Sequence, residues 1–371
     1  MIVGLFPELA AAGGVQRAGR LTAAALASFA ARQGEACRFL SLNDPPEASP
    51  LRIGSQEIAF AGFRRSKPRF FHASWNAARQ QPSLVVALHP HLAPVVAAMK
   101  FCAPRTRAVI FAHGVEVWTP LRFLRRRSLH LADLVFAPST DTLRHLLTQQ
   151  GLPGEKVRKL PWSLGPEFDS GAARSAGSHP PEGFPRGRVI LTVGRWDARE
   201  AYKGVDHLIM ALPRLLETVP ELHLVAIGSG SDVPRLERLA QQSGVAAHIH
   251  FLSALPPQDL WSAYDSCDAF ALPSRGEGFG LVFLEAMAHG KPVVGGAHGG
   301  TPDVIDDGVT GYLVRYGDVP QLTDCLQRLL ADDAARGSMG ARALERVRRD
   351  FTFDRFSRGL AEALQSLSTR S

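Results

Sequence analysis

Two glutamates pose the chemical question. Glu277 and Glu285 are separated by seven intervening residues in PSRGEGFGLVFLEAMAHGKPVV, the stretch from Pro273 to Val294. Glu277 sits among turn residues, where solvent can accommodate it. Glu285 is flanked by Phe283, Leu284, Ala286 and Met287, a setting that predicts burial, and a buried carboxylate needs partners. Two carboxylates suggest acid–base cleavage of a glycoside, where the pair stands roughly 5–9.5 Å apart. On one continuous helix this spacing would hold them ~12 Å apart. A carboxylate accepting two adjacent hydroxyls, as on a ribose, therefore suits Glu285 better; a buried ion pair or a helix cap is the competing reading.

The candidate cations are Arg195 and Lys203, on either side of a turn-rich segment, with Gly204 opening the next helical run. Positive charge at a helix start opposes the macrodipole. That placement suits an anionic ligand, and an Arg fork with a Lys point charge matches a diphosphate. Two solvated surface cations are the plainer alternative. Gly14, in Gly13-Gly14, could let backbone N–H groups approach a phosphate at the start of the following helix, or form an ordinary turn. His113 follows an apolar strand and precedes Gly114. It could donate to a ligand oxygen or be a satisfied core histidine.

The elements that must hold these residues alternate. Short apolar runs at Ile2–Phe6, Leu84–Leu88 and Ala108–Ala112, and again at Val189–Val193, Leu222–Ile227, Ile249–Leu252 and Ala269–Leu272, are separated by helical patterns. Strands alternating with helices predict parallel sheets covered on both faces. The ligand-bearing loops then fall at the carboxyl ends of strands, and two such sheets would enclose a cleft between domains. A chain of 371 residues exceeds one comfortable core, so two domains are expected. The Gly-, Ser-, Ala- and Pro-rich stretch near 166–187 is the expected linker.

The net charge of +7 conceals an asymmetry. Residues 1–165 carry 21 Lys and Arg against 9 Asp and Glu, whereas residues 166–371 carry 21 against 26. The first half is expected to face something anionic. Its basic stretches are interleaved with apolar residues: Arg122 and Arg125–Arg127 with Leu121, Phe123, Leu124 and Leu129, and Arg64, Arg65, Lys67 and Arg69 with Phe63, Phe70 and Phe71. That pattern reads as a membrane-surface face or as a buried helix with a charged exposed side. No nucleic-acid module is present, so no nucleic-acid partner is expected. The scattered Cys37, Cys102, Cys267 and Cys325 read as reduced packing residues. Without a signal-peptide pattern or a ~20-residue apolar run, the expected location is cytoplasmic, with peripheral attachment to the inner face of a membrane as an option. There is no P-loop, no Asp-x-Asp and no His/Cys ligand cluster. No metal and no cofactor are expected.

Taken in order, Gly13-Gly14-Val15, His113-Gly114, VGRWDAREAYKGVDHLIMA, IGSGSD, HFLSAL, CDAFALPS, EGFGLVFLE and GGTPDVIDDGVTGYLV resemble the retaining family-four (group 1) glycosyltransferases of the GT-B fold, with their E-x7-E signature. The resemblance implies an α/β fold of two Rossmann-like domains facing a central interdomain cleft: an acceptor domain at 1–165, a donor domain at 188–350, and a last helix at 351–371 crossing back to the first domain. It implies that Glu285 binds the ribose, that Arg195 and Lys203 hold the diphosphate, and that Glu277 with the backbone of Gly278, Phe279 and Gly280 holds the transferred sugar. The Leu281 N–H would touch phosphate, Gly14 would approach it from the other domain, and Phe251, Leu252 and Ser253 would frame the base. His113 would lie beside the reacting centre.

The implied reaction moves a sugar from a UDP- or GDP-linked donor to an acceptor hydroxyl with retention and without metal. The expected acceptor is a glycan or lipid-linked molecule of the cell envelope (lipopolysaccharide, capsule or exopolysaccharide type). The rivals are a soluble small-molecule glycosyltransferase, a sugar phosphorylase or epimerase of the same fold, and an inactive sugar-binding protein. Two departures stand out: Trp162-Ser163 where the family commonly has Pro-Asn-Gly or similar, and Asp303 where Glu is usual.

Overall fold

The computed structural model describes residues 1–169 and 179–368. In chain order the first elements are β1 (Ile2–Phe6), α1 (Gly14–Arg32), β2 (Cys37–Ser41), β3 (Leu51–Ile53), β4 (Gln56–Ile58), β5 (Ala61–Gly62), α2 (Lys67–Ala78), β6 (Leu84–Ala87), α3 (Ala93–Cys102), β7 (Arg107–Phe111), α4 (Phe123–His130), β8 (Leu134–Ala137), α5 (Thr140–Thr148), β9 (Val157–Lys159) and α6 (Pro166–Asp169). The alternation then resumes with β10 (Arg188–Val193), α7 (Val205–Leu216), β11 (Leu222–Ile227), α8 (Val233–Gln242), β12 (Ile249–Leu252), α9 (Pro257–Ser266), β13 (Ala269–Leu272), α10 (Leu281–Ala288), β14 (Val293–Gly296), α11 (Thr301–Val304), β15 (Gly311–Val314), α12 (Val319–Ala331), α13 (Asp333–Asp350) and α14 (Phe353–Ser368).

The chain divides into two compact units, one of Met1–Pro166 with Phe353–Ser371 and one of Glu167–Thr352. The expected linker at 166–187 falls partly on residues 170–178, which lie outside the described residues.

The first unit carries a seven-stranded sheet in the order β5-β2-β1-β6-β7-β8-β9, with parallel pairing throughout. Every residue of β1, β6 and β8 is buried, the mark of parallel strands covered on both faces. α14 packs along α1 with Leu360, Ala363 and Leu364 buried, so the last helix of the chain belongs to this first core. The second unit carries six parallel strands in the order β12-β11-β10-β13-β14-β15. The apolar positions read on α7, Val205, Leu208, Ile209 and Leu212, are all buried.

The structure corrects one reading of the basic stretches. Phe70 is buried, and it meets Phe63 edge-to-face with centroids 5.6 Å apart. These rings fill core beside α2 because edge-to-face burial is worth more than an exposed aromatic; Phe71 alone of the three is exposed. In the other stretch Leu129 is buried and Leu121 packs against the core, whereas Phe123 and Leu124 are 77% and 66% exposed. All four cysteines are free thiols. Among the described residues no helix is long and apolar enough to cross a membrane.

Candidate functional site

In a doubly wound sheet, ligands bind where the strand order reverses, at the carboxyl ends of the strands. In the second unit that point lies between β10 and β13. The loop after β10 carries Arg195 and ends in a 3-10 turn, Ala198–Lys203; the loop after β13 carries Glu277. The two loops meet: Lys203 Nζ lies 3.8 Å from Glu277 Oε1 and 3.7 Å from Glu200 Oε2. Arg195 pairs with Glu200 from the outside, its side chain 72% exposed. Glu277 Oε1 is buried and accepts no hydrogen bond among the described residues, so the carboxylate presents an acceptor that its own protein leaves open. Its backbone is fixed, because Gly300 N–H donates to the Glu277 carbonyl at 2.6 Å. Burial first, then the Glu277 charge, pushes the Tyr202 hydroxyl above its ordinary pKa.

Gly278 is half-buried and Phe279 is buried, packed edge-on against Phe351. Gly280 caps α10 at φ +94°, and a Cβ there would stand 2.5 Å from the Phe283 ring. Only glycine is comfortable there, and it aims the first N–H groups of α10, beginning at Leu281, out of the loop. The first turn of α10 carries no acid.

Because α10 begins at Leu281, Glu277 lies outside it, and the distance estimated for a continuous helix does not apply. What separates the two carboxylates is their setting. Glu285 is buried within α10 and accepts a 2.8 Å hydrogen bond from the hydroxyl of fully buried Tyr264 on α9. Tyr264 in turn stacks on His289, whose Nδ1 is 2.7 Å from Asp265 Oδ1. Phe251, Leu252 and Ser253 lie at the end of the edge strand β12, with two strands between it and β13 in the sheet order; Phe251 and Leu252 are half-buried and Ser253 is exposed.

The first unit has its own reversal, between β1 and β6. Gly14 is the first residue of α1, and nothing stands within 4 Å of where its Cβ would be. Its small size thus leaves open space and serves no packing contact. His89 follows β6 and His113 follows β7. His113 Nε2 is 2.6 Å from the Leu88 carbonyl, which can only accept, so Nε2 carries the proton and Nδ1 the lone pair. The His113 N–H donates to Glu116 Oε1 at 2.6 Å. Burial holds the His113 pKa below its ordinary value, against the opposing pull of Glu116 and the Leu88 carbonyl.

His89 Nδ1 accepts from the His91 N–H at 3.1 Å. Burial, with His113, His91 and Arg125 adding, pushes its pKa down to about 2. The rings form a series: His91 to His89 at 4.3 Å, His89 to His113 at 5.6 Å, His113 to Trp162 at 5.3 Å, and Trp162 to Phe356 of α14 at 5.6 Å.

The structure therefore brings Arg195, Lys203 and Glu277 together through Glu200, with Gly278–Leu281 and Glu285 on the same loop and helix. Gly14 and His113 belong to the other unit. Sequence reasoning missed Tyr264, His89 and Trp162 as partners of these residues. His89 carried a usable signal, since it follows an apolar strand just as His113 does. Tyr264 carried none, because its link to Glu285 is purely tertiary.

The profile described as Glycosyl transferases group 1 matches residues 179–346, and that of Glycosyltransferase Family 4 matches residues 13–162. The chain is 35% identical over 246 residues to a GDP-mannose-dependent alpha-(1-6)-phosphatidylinositol monomannoside mannosyltransferase of Mycolicibacterium smegmatis, covering 63% of each chain. It is 31% identical over 279 residues to the Mycobacterium tuberculosis protein of that description, covering 71% of this chain and 70% of the relative. A D-inositol 3-phosphate glycosyltransferase of Corynebacterium aurimucosum is 40% identical over 164 residues, 43% of this chain and 38% of the relative. The chain thus spans 63% and 38% of the length of the first and third of these relatives.

Among solved structures, HepE of Anabaena in complex with UDP and glucose superposes with a TM-score of 0.76 at 19% identity, covering 99% of this chain and 100% of that one. Sucrose-phosphate synthase of Thermosynechococcus elongatus gives 0.75 at 22% identity, covering both chains fully. These two share the fold, mixed α/β with parallel sheets. The chain belongs to the group 1 glycosyl transferase family, of the GT-B fold class.

Proposed function

We propose that this protein is a retaining glycosyltransferase that moves a sugar from a nucleotide diphosphate to a hydroxyl of a lipid-linked or cell-envelope glycan acceptor. The observation that carries the reading is the Lys203–Glu277 pair at 3.8 Å, set at the strand-order reversal beside the start of α10. A diphosphate leaving group gains negative charge as its bond to the sugar breaks. Lys203, Arg195 and the Leu281 N–H are the groups assigned to stabilise it, an electrostatic contribution that fixed donors supply without reorganisation. Charge neutralisation is assigned to these cations and N–H groups.

Glu277, with its unfilled buried oxygen, accepts hydroxyls of the transferred sugar, and Glu285 accepts those of the ribose. The bond from the sugar's anomeric carbon to the phosphate oxygen breaks, and the bond to the acceptor oxygen forms on the same face. The acceptor's proton passes to the departing phosphate. His113, neutral and with its lone pair on Nδ1, serves as a hydrogen-bond acceptor beside the sugar. Phe251 to Ser253 frame the base, and Gly14 leaves room for phosphate.

Two observations support a membrane-borne acceptor: the basic first half, and the exposed Phe123 and Leu124 beside Arg122 and Arg125. The Mycolicibacterium smegmatis relative is named for a phosphatidylinositol monomannoside substrate. The Corynebacterium relative is named for D-inositol 3-phosphate, which favours a soluble polyol phosphate as the second reading.

Donor hydrolysis and transfer assayed with GDP-mannose and with UDP-glucose test the proposal. At least one donor should be consumed, a chelator should leave the rate unchanged, and Glu277→Ala should lower it roughly 10–100-fold, the cost of a charge-assisted hydrogen bond. Equal rates in Glu277→Ala and the parent would remove the carboxylate from the mechanism.

A further inference from the structure

We propose that Trp162 is a positioning residue for His113, and that through Trp162 the C-terminal helix α14 holds the His113 imidazole in the plane it needs. This rests on the reading of His113 as a group beside the reacting centre. Trp162 stands where the chain departs from the resembled family's Pro-Asn-Gly pattern. Its indole is 3% exposed. It stacks on His113 at 5.3 Å with an interplanar angle of 23°, and on Phe111 of β7 at 5.4 Å and 19°. Phe356, also buried, backs it from α14 at 5.6 Å.

His113 thus has three constraints that act on different degrees of freedom. The Leu88 carbonyl fixes which nitrogen carries the proton. The Glu116 carboxylate fixes the backbone N–H. The Leu88 contact restrains the ring at one atom, and the near-parallel indole of Trp162 and the ring of His89, stacked at 5.6 Å and 23°, restrain its plane.

The indole has a second consequence. It helps exclude water from His113, and burial is the leading cause that holds the imidazole neutral. The titratable and charged groups that act on it are Glu116 in the turn after β7 and His89 beyond the end of β6; His91 in the turn before α3 and Arg125 of α4 act in turn on His89. From α14 it is the apolar ring of Phe356 that meets the indole. Replacing Trp162 by a smaller aliphatic group would admit water and let the His113 pKa rise towards its ordinary value.

The test compares Trp162→Leu, which removes the ring, with Trp162→Phe, which keeps one. Transfer is measured from whichever of GDP-mannose and UDP-glucose the parent consumes, and the His113 imidazole is followed by NMR titration in histidine-labelled protein. Trp162→Leu should lower kcat on the order of 10–100-fold, the loss expected from a small misplacement at a reacting centre, with little change in donor KM. Its acid limb should move to higher pH, and Trp162→Phe should recover most of the rate. A general loss of packing would not move the limb or be rescued by the smaller ring.

Wild-type kcat and an unmoved acid limb in Trp162→Leu would overturn the proposal, as would equal impairment by Leu and Phe. Should Trp162→Leu fail to fold, Phe356→Leu replaces it: the His113 resonance should titrate at higher pH, and an unchanged titration overturns the proposal. Full activity in His113→Ala would overturn the reading of His113 itself. Because the NMR titration needs no substrate, that outcome stays distinct from a failure of the Trp162 clamp.

Discussion

His89 is a group whose chemistry the fold has suppressed. Its ordinary pKa is 6.5 and the folded protein holds it at about 2. Below pH 6.5 the unfolded chain therefore binds a proton that the folded chain refuses, so folding stability falls as the pH drops. The slope from this one residue approaches ~1.4 kcal/mol per pH unit. His89→Asn, whose amide oxygen can still accept the His91 N–H, should flatten the decline between pH 6.5 and 5 in urea unfolding. An identical pH dependence in the two proteins would show that His89 is not the residue responsible. At this scale Glu277 and Lys203 were legible in the sequence because their chemistry is local: turn residues, a glycine and a helix start flank each of them. Glu285 was legible as a buried carboxylate, yet Tyr264, which meets it, lies 21 positions away. Trp162 was legible only as a departure from a pattern, since its role arises from three elements that meet at one ring.

Among the elements, apolar periodicity identified the buried strands and α7 because parallel strands covered on both faces leave few alternatives. It failed for α2, where KPRFFHASWNAA mixes charges with aromatics and the core contact comes from Phe70 alone among its rings. The antiparallel hairpin of β3 and β4 pairs three residues on each side, too few for an alternating pattern to stand out. α4 divides its apolar residues, with Leu129 inward and Phe123 and Leu124 outward. Outward aromatic and aliphatic side chains among arginines suit an anionic bilayer, where each basic residue near the surface contributes about 1 kcal/mol. Flotation with phosphatidylglycerol vesicles at low salt should recover the protein, and Phe123→Ser with Leu124→Ser should release most of it. Failure of the parent protein to float would remove the membrane from the account and favour a soluble acceptor.

For the whole molecule, the division of labour follows charge and topology. Two reversal points in two parallel sheets carry different chemistries. The acidic second unit holds a cation-lined carboxylate site, and the basic first unit holds half-buried histidines, His89 and His113, whose pKa values desolvation lowers. Length and alternation made the two-sheet architecture legible from the sequence. The resemblance implied a last helix crossing back to the first domain; what it did not reveal is that α14 carries Phe356 to Trp162, because nothing local to residues 353–368 encodes that contact.

The proposed function requires that the second unit bind a nucleotide diphosphate through Lys203, the start of α10 and Glu285. Calorimetric titration with GDP and with UDP tests it most directly, using the parent protein, Glu285→Gln and Tyr264→Phe. One nucleotide should bind the parent, Glu285→Gln should weaken binding at least ~10-fold, and Tyr264→Phe should weaken it in the same direction by losing a hydrogen bond to a charged group. Binding of neither nucleotide, or equal affinity in the parent and Glu285→Gln, would contradict it.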